Sequence, residues 1–263
     1  MSTDRHTGEL ASASASGSGA TALAPGLTPP SLTVIMPAYN EEGAIAAAVE
    51  DVRAHVLERV PESSLLVVDD GSRDGTGAIL DALSASDARV RVLHQRNGGH
   101  GAALMAGLDR ATTDYVLLLD SDRQIPLDDF PRAWALACAG RAGVFGVRRH
   151  RDDPRLRLLL TAVVRGSLRA LFGITLYDAN VPYKLVRRDV WVRARPLIPP
   201  GTLAPSLFLA TYMKARGLDV AELDVAHRER RTGEVSIKRW KLIRFCARAL
   251  AQLARFRSEL RSS

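Results

Sequence analysis

The sequence predicts an α/β protein built on a largely parallel β-sheet with helices packed against it. Three observations carry this expectation: short apolar runs alternate with longer helix-like segments, the runs are continuous rather than alternating with polar residues, and Gly and Asp cluster directly after several of them. Continuous apolar runs suit strands covered on both faces, and helical segments between them supply the crossovers that parallel strands need. Open sheets of this class bind ligands at the carboxyl ends of their strands, which is where the Gly and Asp clusters fall.

Taken in order, residues 1–30 read as a disordered tail. ASASASGSGATALAPG has little to bury, the Pro29–Pro30 pair refuses helix and ladder alike, and the apolar stretch is too short and interrupted for a signal peptide. Strands are expected at 32–36, 65–68, 90–93, 115–119 and 144–147, with helices at 44–60, 76–84, 101–111 and 127–139. After Arg148 the pattern changes. Leu156, Leu159, Leu160, Val163, Leu168 and Leu171 recur at helical spacing opposite Arg155, Arg157, Arg165 and Arg169. A second such helix follows Ile237, with Leu242, Phe245, Cys246, Ala249, Leu250, Leu253 and Phe256 on one stripe and Lys241, Arg244, Arg248 and Arg255 opposite. The expected division is therefore a tail over 1–30, one domain over 31–236 and a basic amphipathic C-terminal helix over 237–263.

Composition narrows the function classes. A chain of 263 residues is ample for a continuous core, and 46% hydrophobic with 25% charged residues excludes a wholly disordered, collagenous or multi-span membrane protein. The apolar stretch 158–164 is cut off by Arg157 and Arg165, far short of the ~20 residues a bilayer crossing needs. Cys138 and Cys246 have neither metal-ligand nor disulfide-framework spacing, which fits a reducing compartment. The net charge of +7 concentrates at the end of the chain, where residues 228–263 hold 11 Lys plus Arg against 3 Asp plus Glu. Such a basic end attracts phosphates, anionic lipid headgroups or nucleic acid.

The chemistry-bearing motifs sit at the predicted strand ends. The first strand runs into PAYNEE (37–42), where proline ends the ladder and Tyr39 is available to lie against a planar ring. The second runs into VVDDGSRDGT (67–76), whose carboxylates can accept from a base N–H or a ribose hydroxyl; alone, the segment reads equally well as turn and cap chemistry. NGGHGAA (97–103) is a glycine-rich turn opening a helix. It does not complete GxGxxG, and no GK[ST] occurs, so dinucleotide-binding and P-loop readings are poor; His100 reads as a polar loop residue rather than a metal ligand. The fourth strand ends in DSDRQIP (120–126). On an extended backbone Asp120 and Asp122 point the same way and can share one divalent cation, with Gln124 adding a neutral oxygen. A hard Mg²⁺ or Mn²⁺ held in this way is what a departing nucleoside diphosphate needs.

With these four blocks in this order, over about 31–240, the chain resembles the family 2 glycosyltransferases of the GT-A (Rossmann-like) fold. Among them it is most similar to the dolichol-phosphate mannosyltransferase and polyprenyl-phosphate sugar transferase branch; Gly146–Val147–Arg148 and Arg230–Arg231–Thr232–Gly233 are weaker matches. The resemblance implies that Pro37, Tyr39, Glu41, Asp70 and Asp120 surround a nucleotide-sugar, that Asp120, Asp122 and Gln124 hold Mg²⁺ or Mn²⁺, and that Arg148 and Arg230 contact phosphates. Asp178 is the candidate base should the acceptor be a hydroxyl, and reads equally well as a turn aspartate. The catalytic set is then Asp122, Arg148, Arg230 and Asp178. The late segment departs from the family's RxxGxS spacing by one extra residue before Ser236, and DANVPYK (178–184) replaces the branch's usual acceptor-side segment.

The implied reaction is inverting, metal-dependent transfer of a sugar from a GDP- or UDP-sugar to a polyprenyl phosphate. The other reading within the family is a soluble enzyme acting on a hydroxyl of a small molecule or cell-wall saccharide. A nucleic-acid-binding module is the competing class, and the sparse aromatics of the basic end, Trp240, Phe245 and Phe256, argue against it. With a lipid acceptor and no span, the expected location is cytoplasmic and peripheral, on an anionic membrane surface at the inner face of the plasma membrane.

Overall fold

The computed structural model describes residues 29–148, 155–178, 181–202, 204–228 and 239–262. Residues 1–28 of the expected tail, Arg230, Arg231 and the late motif through Ser236 lie outside the described residues. Seven strands form one sheet in the order β3-β2-β1-β4-β6-β5-β7. The strands are β1 (Leu32–Ala38), β2 (Ser63–Asp69), β3 (Val90–His94), β4 (Tyr115–Leu119), β5 (Gly143–Val147), β6 (Tyr183–Arg187) and β7 (Val220–Asp224). β1, β2, β3 and β4 are parallel, while β6 runs antiparallel to both β4 and β5, and β7 pairs parallel with β5. The largely parallel α/β sheet expected from the sequence is thus present, with one reversed strand in its second half.

Every residue of β1, β4 and β5 is buried, the physical counterpart of their uninterrupted apolar runs. One core cluster, around Val34, Val67, Leu117 and Phe130, lies between the sheet and α1 (Ile45–Val52) with α4 (Phe130–Cys138). A second lies across the opposite face under α3 (His100–Arg110), α6 (Arg188–Ala194) and α7 (Pro205–Ala215), and a small third joins Leu66 and Val68 of β2 to Ala103 of α3. α2 (Thr76–Ser86) connects β2 to β3. α3 reaches the sheet closely because Gly107 has no side chain: a Cβ there would stand 2.4 Å from Ile35 Cγ2.

The helix expected over 44–60 is shorter than the sequence suggested. α1 stops at Val52, and Arg53–Leu57 continues as one π-helical turn. Both helices expected after Arg148 and after Ile237 form, as α5 (Arg155–Phe172) and α8 (Arg239–Ser262). Within α5, Leu168 and Leu171 of the expected stripe face the core and are joined there by Val164 and Phe172, while Val163, also expected in the stripe, is 41% exposed. In α8, Leu253 and Phe256 are fully buried, with Phe256 against Phe172 of α5 and Phe208 of α7.

Candidate active site

The parallel strand order turns at β1, whose neighbours β2 and β4 lead the chain away on opposite sides. Such a switch point leaves a crevice at the strands' carboxyl ends. A cavity of about 450 Å³ opens there, lined by Pro37, Ala38, Tyr39, Glu41, Asp70, Asn97, Gly99, His100, Ala103, Asp120, Ser121 and Asp122. Five of the residues expected around the nucleotide, Pro37, Tyr39, Glu41, Asp70 and Asp120, are brought together in its wall, with Asp122 beside them.

The wall is stiffened by bonds between motifs far apart in sequence. Asn40 adopts a left-handed backbone, φ +53°, which an Asn side chain tolerates. Its N–H donates to Ser72 Oγ at 3.0 Å and its Oδ1 accepts from the Arg73 N–H at 2.8 Å. The Glu41 N–H donates to Thr76 Oγ1 at 2.8 Å, and Gly75 N–H to Glu42 Oε2 at 3.1 Å. PAYNEE and DGSRDGT therefore act as one clamped unit, with Tyr39 left 43% exposed at its rim.

Asp70 is 3% exposed and turned into this framework. Its Oδ1 accepts from Gln95 Nε2 (2.7 Å) and the Gly98 N–H (2.9 Å), and its Oδ2 from the Gly99 N–H (2.7 Å). It lines the cavity, but these bonds make it the cap that holds the glycine-rich turn at the start of α3. Gly71, at φ +72°, allows the approach, since a Cβ there would lie 2.8 Å from the Asn97 nitrogen. The neighbouring Asp69 accepts from Ser72 N–H and pairs with His94, whose other nitrogen meets Asp81. Hydrogen bonds from Ser72 and His94 outweigh burial and lower the Asp69 pKa, while Asp69 first and then Asp81 raise that of His94.

Asp120 and Asp122 both face the cavity, though not by the alternation of an extended strand. β4 ends at Leu119, residues 121–122 form a turn, and Arg123 is left-handed at φ +55°. The bend, rather than strand periodicity, brings the two carboxylates to one side. Gln124 does not contribute to the cavity wall; its N–H donates to Asp122 Oδ1 at 3.1 Å, and its carbonyl accepts from the Arg228 N–H at 2.8 Å. His100, expected to be a plain loop residue, lies 3.0 Å through Nε2 from Asp120 Oδ1, and that hydrogen bond raises its pKa. Among the described residues no three His, Cys, Asp or Glu side chains converge as a closed cage for a cation. Two carboxylates at an open cavity fit a Mg²⁺ or Mn²⁺ that completes its shell with water and substrate phosphates.

The second half of the sheet places a different cluster. Arg148, at the end of β5, forks onto Asp178: Nε to Oδ2 at 2.7 Å and Nη2 to Oδ1 at 3.0 Å, with side chains 10% and 2% exposed. The two residues expected to play separate roles are thus bound to each other. Beside them Lys184 on β6 is fully buried and donates from Nζ to the Val181 carbonyl at 2.6 Å. Burial pushes its pKa down to about 8, with Asp178 opposing and Arg148 adding to the shift. Lys184 was missed by sequence reasoning; a lone Lys inside an otherwise apolar run, YKLV, was the available signal.

The profile of the family described as "Glycosyl transferase family 2" matches residues 33–189. The undecaprenyl-phosphate 4-deoxy-4-formamido-L-arabinose transferase of Aeromonas hydrophila is 32% identical over 205 residues, covering 77% of this chain and 61% of that protein. The Pseudomonas aeruginosa protein of the same name is 30% identical over 216 residues, covering 81% and 62%. This chain therefore spans about three fifths of the length of these curated relatives. Among solved structures, glucosyl-3-phosphoglycerate synthase from Mycobacterium tuberculosis, in complex with Mn²⁺, UDP and glucosyl-3-phosphoglycerate, superposes with a TM-score of 0.65 at 20% identity, covering 89% of this chain and 86% of that one. The fold it shares is GT-A, and with the family profile spanning the sheet from β1 to β6, the chain belongs to glycosyl transferase family 2.

Proposed function

We propose that this chain transfers a sugar from a nucleoside diphosphate sugar to a polyprenyl phosphate in a single displacement that inverts the anomeric carbon. The observation that carries the choice of acceptor is the buried Arg148–Asp178 fork. A hydroxyl acceptor must lose its proton to a base, and Asp178 is the carboxylate in the acceptor region put forward for that task. Held by both oxygens on a guanidinium and next to Lys184, it is a poor proton acceptor. A phosphate monoester is already anionic at neutral pH and needs only to be oriented. Arg148, Asp178 and protonated Lys184 together carry one surplus positive charge, and the fork uses Nε and Nη2 of Arg148, leaving Nη1 to donate to an oxyanion. The curated relatives named above, undecaprenyl-phosphate sugar transferases, support the same reading.

On the donor side, the half-exposed ring of Tyr39 offers a face for the base, and Asp120 and Asp122 are the residues that would hold the divalent cation. Mg²⁺ or Mn²⁺ bound there neutralises charge on the leaving diphosphate. His100, from the start of α3, adds a hydrogen-bonding group beside Asp120. Arg230 keeps its proposed role as a phosphate contact. The test is a transfer assay with UDP- and GDP-sugars, Mg²⁺ or Mn²⁺, and either undecaprenyl phosphate or undecaprenol. A glycosylated lipid phosphate is expected from the phosphate alone; transfer to the alcohol and not to the phosphate contradicts the reading.

The lipid acceptor requires contact with a membrane, and among the described residues no helix is long and apolar enough to cross one. We propose that α8 rests on anionic headgroups, since Arg248, Arg255 and Arg261 are exposed while Leu253 and Phe256 bury the other face. Each basic residue near the surface contributes about 1 kcal/mol of attraction. Salt-sensitive co-sedimentation with anionic vesicles, weakened by Arg248→Gln with Arg255→Gln, is expected; equal binding to neutral vesicles at high salt contradicts it.

A further inference from the structure

Asp122 and Gln124 flank a residue whose backbone is disfavoured for any side chain bearing a Cβ. Arg123 sits at φ +55°. The other non-glycine residue with positive φ among those described, Asn40, is held by its own short hydrogen bonds to the 72–73 turn. Arg123 is held at long range. Its Nε and Nη2 donate to the two separate oxygens of Asp51 on α1, the second at 3.1 Å. A guanidinium fork on a carboxylate fixes direction as well as distance. Asp51 is a firm anchor, because α1 buries Ile45, Ala48, Val49 and Val52 in the core. On its far side the turn runs into buried Ile125 and Leu127. The 120–124 turn is thus fastened at both ends and across to α1 in its middle.

We propose that Arg123 is a positioning residue: through its fork to Asp51 it holds the left-handed bend that turns Asp120 and Asp122 to one side of the cavity, and so it sets the affinity for the divalent cation. This rests on reading Asp120 and Asp122 as the cation-holding carboxylates. The side chains of the pair are 44% and 35% exposed, so the ion pair itself adds little to global stability. Its effect falls on the geometry of the turn.

The sign of the effect separates positioning from charge. Removing a cation beside a metal site would, by Coulomb attraction alone, tighten cation binding. A positioning role gives the opposite. The experiment measures Mn²⁺ affinity of the full chain in the presence of UDP or GDP by the electron paramagnetic resonance of free Mn²⁺, alongside thermal melting without metal. Arg123→Ala and Asp51→Ala are each expected to weaken Mn²⁺ binding about tenfold, as loss of outer-shell support does, with nearly unchanged melting. The double variant should be no weaker than the weaker single one, because both break the same tether. Arg123→Gly, which adopts the bend freely, should lose less than Arg123→Ala, and Asp51→Glu should retain most of the affinity. Wild-type affinity in both alanine variants, or tighter binding by Arg123→Ala, overturns the inference while leaving the metal reading intact. A wild-type chain that binds no Mn²⁺ with either diphosphate overturns both.

Discussion

The two halves of the sheet handle charge in opposite ways. In the β3-β2-β1-β4 half, acidic side chains stand at strand ends around an open cavity, and neighbouring loops satisfy them through backbone N–H groups, as Gly98 and Gly99 satisfy Asp70. In the β6-β5-β7 half, Arg148, Asp178 and Lys184 are buried and satisfy one another or a carbonyl. The first arrangement suits a polyanion brought in with its own cation. The second holds a surplus of positive charge against the cost of burial below the Lys184 pKa of about 8, which suits an anionic acceptor. On the proposed function the first half takes the donor and the second the acceptor, and each half can be perturbed separately.

The largest effect is expected on the donor side. Asp122→Ala removes a charge that the leaving diphosphate's cation requires, which at several kcal/mol lowers transfer roughly 10²–10³-fold. The melting temperature should hardly change, since Asp122 lines an open cavity. Full transfer by Asp122→Ala in chelator-treated buffer would break the donor assignment.

On the acceptor side the balance reverses, with stability losing first. Asp178→Ala leaves Arg148 buried without its fork and is expected to cost about 3–5 kcal/mol in urea unfolding. Asp178→Asn, which keeps an acceptor for one N–H, should cost less. A variant as stable as wild type would show that the pair is solvated and the contrast between the halves false. An intermediate effect is expected for Asp70→Ala. Three donors lose their acceptor, so stability should fall by about 1–3 kcal/mol and donor affinity should weaken as the glycine-rich turn loosens, checked by melts with and without UDP and Mn²⁺.

The smallest effect concerns pH. His94 has its pKa raised by Asp69, so its contribution is fully present below the unfolded value of about 6.5 and fades as pH rises through the folded value. Asp69 has a lowered pKa, so its share is present above about 3.8 and fades as pH falls through the folded value. Both operate between these limits. Wild type should therefore lose its melting-temperature advantage over His94→Gln as pH rises above about 6.5. A constant difference from pH 5 to 9 would remove His94 from the account.

The same division marks what could be read from the chain. β1, β2, β4 and β5 are visible as apolar runs because they are buried on both faces, the edge strand β3 shows only as the short run Val90, Val92 and Leu93 around exposed Arg91, and the cavity follows from where PAYNEE, VVDDGSRDGT and DSDRQIP stand at the strand ends. β6 was not visible, since Lys184 interrupts its apolar run and only the fold supplies the Val181 carbonyl that accepts from it. β7 is only partly buried and mixes Glu222 and Asp224 with apolar residues, a weak pattern in either period. α7 is buried from Leu207 to Met213 on all sides, so it has no amphipathic stripe to find. Asp70 was legible as a site residue, but its engagement by Gly98 and Gly99 depends on a turn that folds back across 28 residues. The Arg148–Asp178 fork joins residues 30 apart for which sequence had suggested separate tasks.

The claim that Asp178 anchors a cationic acceptor site, rather than serving as a base, is tested most directly by the pH–rate profile of sugar transfer to undecaprenyl phosphate in wild type and Asp178→Asn. The account predicts parallel profiles between pH 5.5 and 7, with the variant lower by a constant factor, and an alkaline fall that starts at lower pH in the variant because Asp178 no longer opposes the lowering of the Lys184 pKa. A variant that is inactive at neutral pH but recovers as hydroxide rises, with the wild-type acidic limb gone, would make Asp178 the base and the acceptor a hydroxyl.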